Sequence, residues 1–284
     1  MTLGPTVRRR RLGAELRALR DRFGFKLEEV ADRLGIAAST LSRIETGKAP
    51  TKTAYLTALL NLYQVNDSAA CQVLLDMARE GHRKGWWSVY DDVLPSGMGM
   101  YVGLEAEATG LRSYEATVVH GLLQTEEYAG AVLKEMYPRY TDEQVRRVGD
   151  VRTERQRRLL DPPPLNIWVI LDESVIRRVV GGPAVMRMQL SHLLAAAELP
   201  GMTLQVLPFS AGAHASFSGS FSILQFPERS DTDVVYVESV AGIIFLEKDR
   251  DVSCCCDVFD RLRAVALAPS ASADLIAHVS RELT

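Results

Sequence analysis

Apolar residues recur at helical spacing through the first 80 positions. Leu12, Leu16 and Leu19 form one stripe of a helix expected over 7–23, which Gly24 ends. Leu27, Val30, Ala31 and Leu34 follow at i, i+3, i+4 and i+7, and Gly35 stops that segment. A third helix is expected over 38–46, before Gly47. Pro50 and Thr51 open a fourth, which carries Tyr55, Leu56, Leu59, Leu60 and Tyr63. Asp67 or Ser68 caps a fifth, through Val73, Leu74 and Met77 to Gly81. After the stretch GHRKGWW at 81–87 the texture changes. Apolar, β-branched runs of strand length occupy 165–171, 203–207, 221–226, 233–238 and 242–246. Helical patterns lie around them, at 102–113, 125–136, 141–160, 183–197, 252–267 and 271–282. The expected architecture is an α N-terminal domain of five helices at 1–80 and a linker or hinge at 81–100. A larger α/β (or α+β) domain at 101–284 completes it.

Residues 27–50, LEEVADRLGIAASTLSRIETGKAP, have the layout of a helix-turn-helix: a short striped helix, a Gly-containing turn and a second short helix. At about 100° per residue, Leu41 and Ile44 fall together on one side of the second helix. Ser39, Ser42, Arg43 and Thr46 share the opposite side, which holds only donors, acceptors and one cation. Such groups match the hydrogen-bonding patterns that base edges present in the major groove, and Arg43 is suited to guanine O6 and N7. The candidate DNA contacts are therefore Ser39, Thr40, Ser42, Arg43 and Thr46. Lys26, Lys48, Lys52 and the run Arg8, Arg9, Arg10 and Arg11 are candidate phosphate contacts, which give affinity without sequence choice.

Charge supports that division. The 284 residues carry a net charge of −3, but positions 1–52 hold twelve Lys/Arg against six Asp/Glu, a net of +6. The rest is then at −9, so a basic head sits on an acidic body, as expected for a head that meets a polyanion. The composition, 47% hydrophobic and 24% charged, is that of an ordinary globular protein able to bury a core. No apolar run approaches the roughly 18 residues of a membrane span, and the basic start has no apolar stretch directly after it. A cytoplasmic protein, without a secretory signal and not at a membrane, is expected. The four cysteines, Cys71 and the run Cys254, Cys255 and Cys256, form no C-x-x-C pair and no zinc spacing. They read as reduced, partly buried thiols; no metal and no cofactor is expected.

Residues 12–65 resemble an Xre-type (lambda-repressor-like) helix-turn-helix domain, through LGAELRALR (12–20), LEEVADRLGI (27–36) and STLSRIETGKAP (39–50). The resemblance implies that an Arg of the first helix, here Arg17, braces the Glu that ends the recognition helix, here Glu45. Two positions depart from the pattern. Leu27 stands where many members carry a DNA-contacting Gln, and Ala37 stands where a Ser or Thr often caps the third helix. The second departure predicts a cap weaker by about 1 kcal/mol. Segments from 104 to 239, among them LEAEATGLRSYEATVVHGLLQTEEYA (104–129) and LQVLPFSAGAHASFSGSFSILQF (204–226), are similar to the C-terminal domain of a large group of actinobacterial Xre-type regulators. That domain has no assigned activity. Its members often stand beside a gene for a small partner protein, which implies partner binding or sensing.

Chemistry in the second domain is sparse. His120 has Glu105, Glu107 and Glu115 nearby in sequence, and His214 lies in the small-residue loop 211–220 with Ser216, Ser218 and Ser220. Asp172, Glu173 and Glu238 follow strand-like runs. No G-x-S-x-G, phosphate-cradling Gly loop or H-E-x-x-H is present. The expectation is a non-enzyme. Arg146, Arg147, Arg152, Arg155, Arg157 and Arg158 make a basic helix, read as a solvated face or as a dock for an acidic partner. Trp86 and Trp87 read as an interdomain anchor. The function expected is sequence-specific transcriptional regulation, with 38–46 in the major groove of double-stranded DNA and a homodimer built through the second domain. Two other readings stay open: an antitoxin-like protein that holds a small partner encoded nearby, and a second domain that senses an unknown small-molecule effector or acts as an enzyme.

Overall fold

The structure is a computed structural model that describes residues 5–82, 84–227 and 232–283. It divides into two compact units: Met1–Val89 with Gly99–Glu107, and Tyr90–Met98 with Ala108–Thr284. The stretch expected to be a linker is folded. It carries a 3-10 turn at Trp86–Tyr90 and the start of a helix at Met98, and Trp87 is buried. Arg83, within that stretch, lies outside the described residues.

The first unit contains α1 (Pro5–Arg22), α2 (Leu27–Leu34), α3 (Ala38–Glu45), α4 (Thr53–Leu62) and α5 (Ser68–Gly81), with α6 (Met98–Glu105) largely in it. Its core is the apolar stripe of each of the first five helices: Leu12 and Leu16, Val30 and Ala31, Leu41 and Ile44, Leu56 and Leu59, Leu74 and Ala78. Burying the Leu, Ile and Val side chains among these stabilises the unit by roughly 1.5–3 kcal/mol each before chain entropy is charged against it. The Glu107 carboxylate caps α1, accepting from the backbone N–H of Thr6 and of Val7, each at 3.3 Å. Asp67 caps α5, accepting from Ala69 N–H at 2.8 Å.

The second unit is built on one six-stranded sheet of β1 (Gly110–Glu115), β2 (Asn166–Asp172), β3 (Met202–Leu207), β4 (Phe221–Gln225), β5 (Val234–Ser239) and β6 (Gly242–Leu246). The spatial order is β3-β2-β1-β4-β5-β6. The pairs β1–β2 and β2–β3 are parallel, and those from β1 through β4 and β5 to β6 are antiparallel. The parallel pairs need helical crossovers. These are α7 (Glu126–Met136) and α8 (Asp142–Gln156) between β1 and β2, and α9 (Glu173–Arg177) and α10 (Pro183–Ala197) between β2 and β3. Two helices follow β6: α11 (Asp249–Val265) and α12 (Pro269–Glu282). On one sheet face Tyr114, Ile170, Leu207, Phe221, Ile223 and Val235 pack against Val252, Phe259 and Leu262 of α11. The chain is thus helical at its N-terminus and α/β beyond.

One element differs from its pattern. The helix expected over 102–113 ends at Glu105, and β1 begins at Gly110. The segment Leu111-Arg112-Ser113-Tyr114 lacks β-branched residues, so its alternation is weak. It becomes a strand because it is hydrogen-bonded on both edges, to β2 and to β4.

Candidate nucleic-acid interface

The helix-turn-helix is assembled from α2 and α3. Gly35 ends α2 at φ 65°, where its left-handed conformation lets Ile36 N–H return to Ala31 O at 3.0 Å. Ala37 then enters α3 in an extended conformation with no side-chain cap. Leu41 and Ile44 point inward and are almost fully buried, while Ser39 and Arg43 are exposed and Thr40, Ser42 and Thr46 are partly so. The Thr46 hydroxyl donates to Ser42 O at 2.8 Å, which leaves it an acceptor toward any outside group. Lys26 at the start of α2, Lys48 after α3 and Lys52 before α4 are exposed. Lys52 also sits over the Tyr55 ring at 5.6 Å.

Two features hold α3 against α1. Gly13 is one: a Cβ there would stand 2.5 Å from Ile44 O and 2.6 Å from Glu45 O. The other is an ion pair on Glu45. Its partner is Arg20, not the Arg17 that the resemblance implies. Arg20 Nε and Nη2 donate to the two Glu45 oxygens at 2.8 and 3.0 Å, and its Nη1 donates to Phe25 O at 3.0 Å. Arg17 faces water, 60% exposed against 11% for Arg20, and its ion pair among the described residues is with Asp21 at 3.8 Å. The signal was in the sequence: Arg20 continues the inward stripe of Leu12 and Leu16 at i+4 and i+8, whereas Arg17 lies one position off it.

The arginine run also departs from expectation. It is part of α1 and is not an exposed basic arm. Arg8 pairs with Glu80, and Arg10 is buried. Arg9 is held below the usual guanidinium range by burial, which Glu107 partly offsets. Arg11 is partly buried. A phosphate reaches only what solvent reaches, so Lys26, Lys48 and Lys52 are the better placed cations.

Comparison with known families bears on both units. Residues 11–70 match the model of a helix-turn-helix domain, which contains α2 and α3 and the turn between them. Residues 98–278 match the model of a domain of unknown function, DUF5753. The chain belongs to the DUF5753 family. No curated protein and no solved structure matches it. A helix-turn-helix is the domain of DNA-binding regulators, and this DUF5753 chain carries one ahead of its family domain.

Within the DUF5753 domain the residues with catalytic potential have local partners. His120 is buried and its Nδ1 accepts from Leu122 N–H at 3.3 Å. His214 Nδ1 accepts from Ser216 N–H at 3.3 Å, while its ring stacks on exposed Phe217, centroids 4.8 Å apart. Ser216 Oγ donates to Gly219 O, so the Ser216 hydroxyl does not engage His214. Asp172 caps α9 through Ser174 N–H at 2.9 Å, and Glu173 accepts from Arg177 Nε at 2.6 Å and Phe209 N–H at 2.7 Å. The basic helix is equally engaged. Arg147 makes a bidentate pair with Asp92, Arg146 meets Asp150, Arg157 meets Glu154, and Arg158 donates to Ala108 O and Pro163 O. Arg152 and Arg155 turn inward. No cysteine is in a disulfide; Cys254 is exposed, and burial pushes the Cys255 and Cys256 thiols up, away from the reactive thiolate. Among the described residues no helix is long and apolar enough to cross a membrane.

Proposed function

We propose that this chain is a sequence-specific, Xre-type transcriptional regulator that places α3 in the major groove of double-stranded DNA. The observation that carries the reading is the division of α3. Leu41 and Ile44 are locked in the core, and the hydroxyls of Ser39 and Ser42 and the guanidinium of Arg43 are turned away from it. In this reading Arg43 and Ser39 address bases, with Ser42, Thr40 and Thr46 beside them. Lys26, Lys48 and Lys52 neutralise phosphates. Leu27 supplies no polar contact at the start of α2, so base choice rests on α3 more than the resemblance implies.

A single small domain binds weakly, so the working form is a homodimer joined through the C-terminal unit, with two half-sites about 34 Å apart. The protein works in the cytoplasm and the C-terminal unit senses or docks; it is not an enzyme. The test is Arg43→Ala, measured by fluorescence anisotropy on a site recovered by selection from random duplexes. A loss of about 1–3 kcal/mol on that site, with a much smaller loss on random DNA, is expected. Equal losses on both would reduce Arg43 to a phosphate contact.

A further inference from the structure

The face of the sheet opposite α11 carries a polar row where a core would place apolar side chains. Ser113 of β1 stands directly across from Ser222 of β4, and Ser222 across from Tyr236 of β5. All three are buried. Two residues further along, at the carboxyl ends of β1 and β5, stand Glu115 and Glu238. The row is wired: Ser113 Oγ is 2.9 Å from Ser222 Oγ and donates to Glu115 at 2.7 Å, and Tyr236 Oη donates to Glu238 at 2.8 Å. The carboxyl ends of strands, where β1 meets the antiparallel β4, are also where open α/β sheets place ligands.

Two arginines of α8 join this group. Arg155 is buried, and its charge acts on the Tyr236 phenol together with those of Glu238 and Glu115. Arg152 is aimed by a relay: Gln124 Oε1 accepts from its Nη1, and Gln124 Nε2 in turn donates to Val119 O at 2.5 Å. Arg152 Nε is buried and has no hydrogen-bond partner among the described residues. An unmet buried donor is destabilising, the more so when charged, and an acceptor brought by a ligand would relieve that cost. The charges agree. Burial, and then the like charge of Arg155, bring Arg152 down to about 10. Burial and the neighbouring Glu238 push Glu115 up to about 8, against the hydrogen bonds of Ser113 and Ser220.

We infer that this polar face, with Arg152 and Arg155 beside it, is a binding site for a small molecule bearing a carboxylate or phosphate group. The oxyanion meets Arg152 Nε, and the Ser113–Glu115 and Tyr236–Glu238 pairs address hydroxyl groups of the same ligand. The inference rests on the sensing role proposed for the C-terminal unit and is independent of the DNA reading. The test is calorimetric titration of the full chain, without DNA, with inorganic phosphate and separately with citrate, against sodium chloride at matched ionic strength. Saturable binding of at least one anion is expected, weakened tenfold or more in Arg152→Met. Arg152→Gln, which keeps a hydrogen-bonding group beside Gln124, guards against misfolding of the first variant, and whichever variant retains the parent circular dichroism is read. Phosphate alone, citrate alone or both binding would assign the ligand as phosphate-bearing, carboxylate-bearing or either. Binding of neither anion, or undiminished binding in the folded Arg152 variant, would overturn the site. A gel shift on the same preparations reports the DNA reading separately, so either can fail without the other.

Discussion

Arg20 and Arg17 lie one helical turn apart with the same charge and opposite consequences. Glu45 has a side chain only 4% exposed, and Arg20 supplies both hydrogen bonds to its carboxylate. Removing Arg20 would leave that charge buried and alone, so Arg20→Ala should cost about 3 kcal/mol or more. Arg17→Ala should stay within about 0.5 kcal/mol, because an exposed pair at 3.8 Å contributes little. Urea unfolding of the two variants checks both values, and the reverse ranking would return the brace to Arg17. At this scale residue types were legible and their partners were not. The α3 face could be drawn from the angle between successive residues, but the neighbour of Glu45 is 25 positions away.

Among elements, α3 is the one whose stability and function meet. It is eight residues long, far too short to persist alone, so the core beneath it supplies most of its order. Its N-terminus is uncapped at Ala37, where φ −66° and ψ 143° already suit a capping side chain. Ala37→Ser should therefore stabilise the unit by about 1 kcal/mol, visible as a rise in melting temperature of the DNA-free protein. No rise would mean that water already satisfies those N–H groups. All five expected strand runs became strands within about a residue of their predicted bounds. The missed strand was β1. Apolar β-branched runs announce themselves, whereas a central strand written with Arg, Ser and Tyr is specified by its neighbours. Missing β1 also hid the polar row, since it exists only as a cross-strand register.

For the whole molecule, the placement of its cations sets how binding should respond to salt. With Lys26, Lys48 and Lys52 exposed, each bound protomer should release counterions for about three phosphates. The slope of log K against log salt should then be near −2.7 per protomer. An exposed arginine arm would add four more and bring the slope to about −6.3. The homodimer proposed above makes a separate prediction. Light scattering should give twice the mass of the 284-residue chain, and a strict monomer with and without DNA would remove the two-half-site geometry.

Local periodicity determined the five N-terminal helices, the Gly35 turn and the two faces of α3, because each depends on residues within a turn or two of one another. It also determined most strands, since apolar runs of that length have few other fates. Only the tertiary structure decided which arginine holds Glu45, that Arg8 and Arg10 belong to the fold, and that Ser113, Ser222 and Tyr236 form one row. Those facts depend on which distant segments come to lie side by side, and burial then decides which charges are left for a partner.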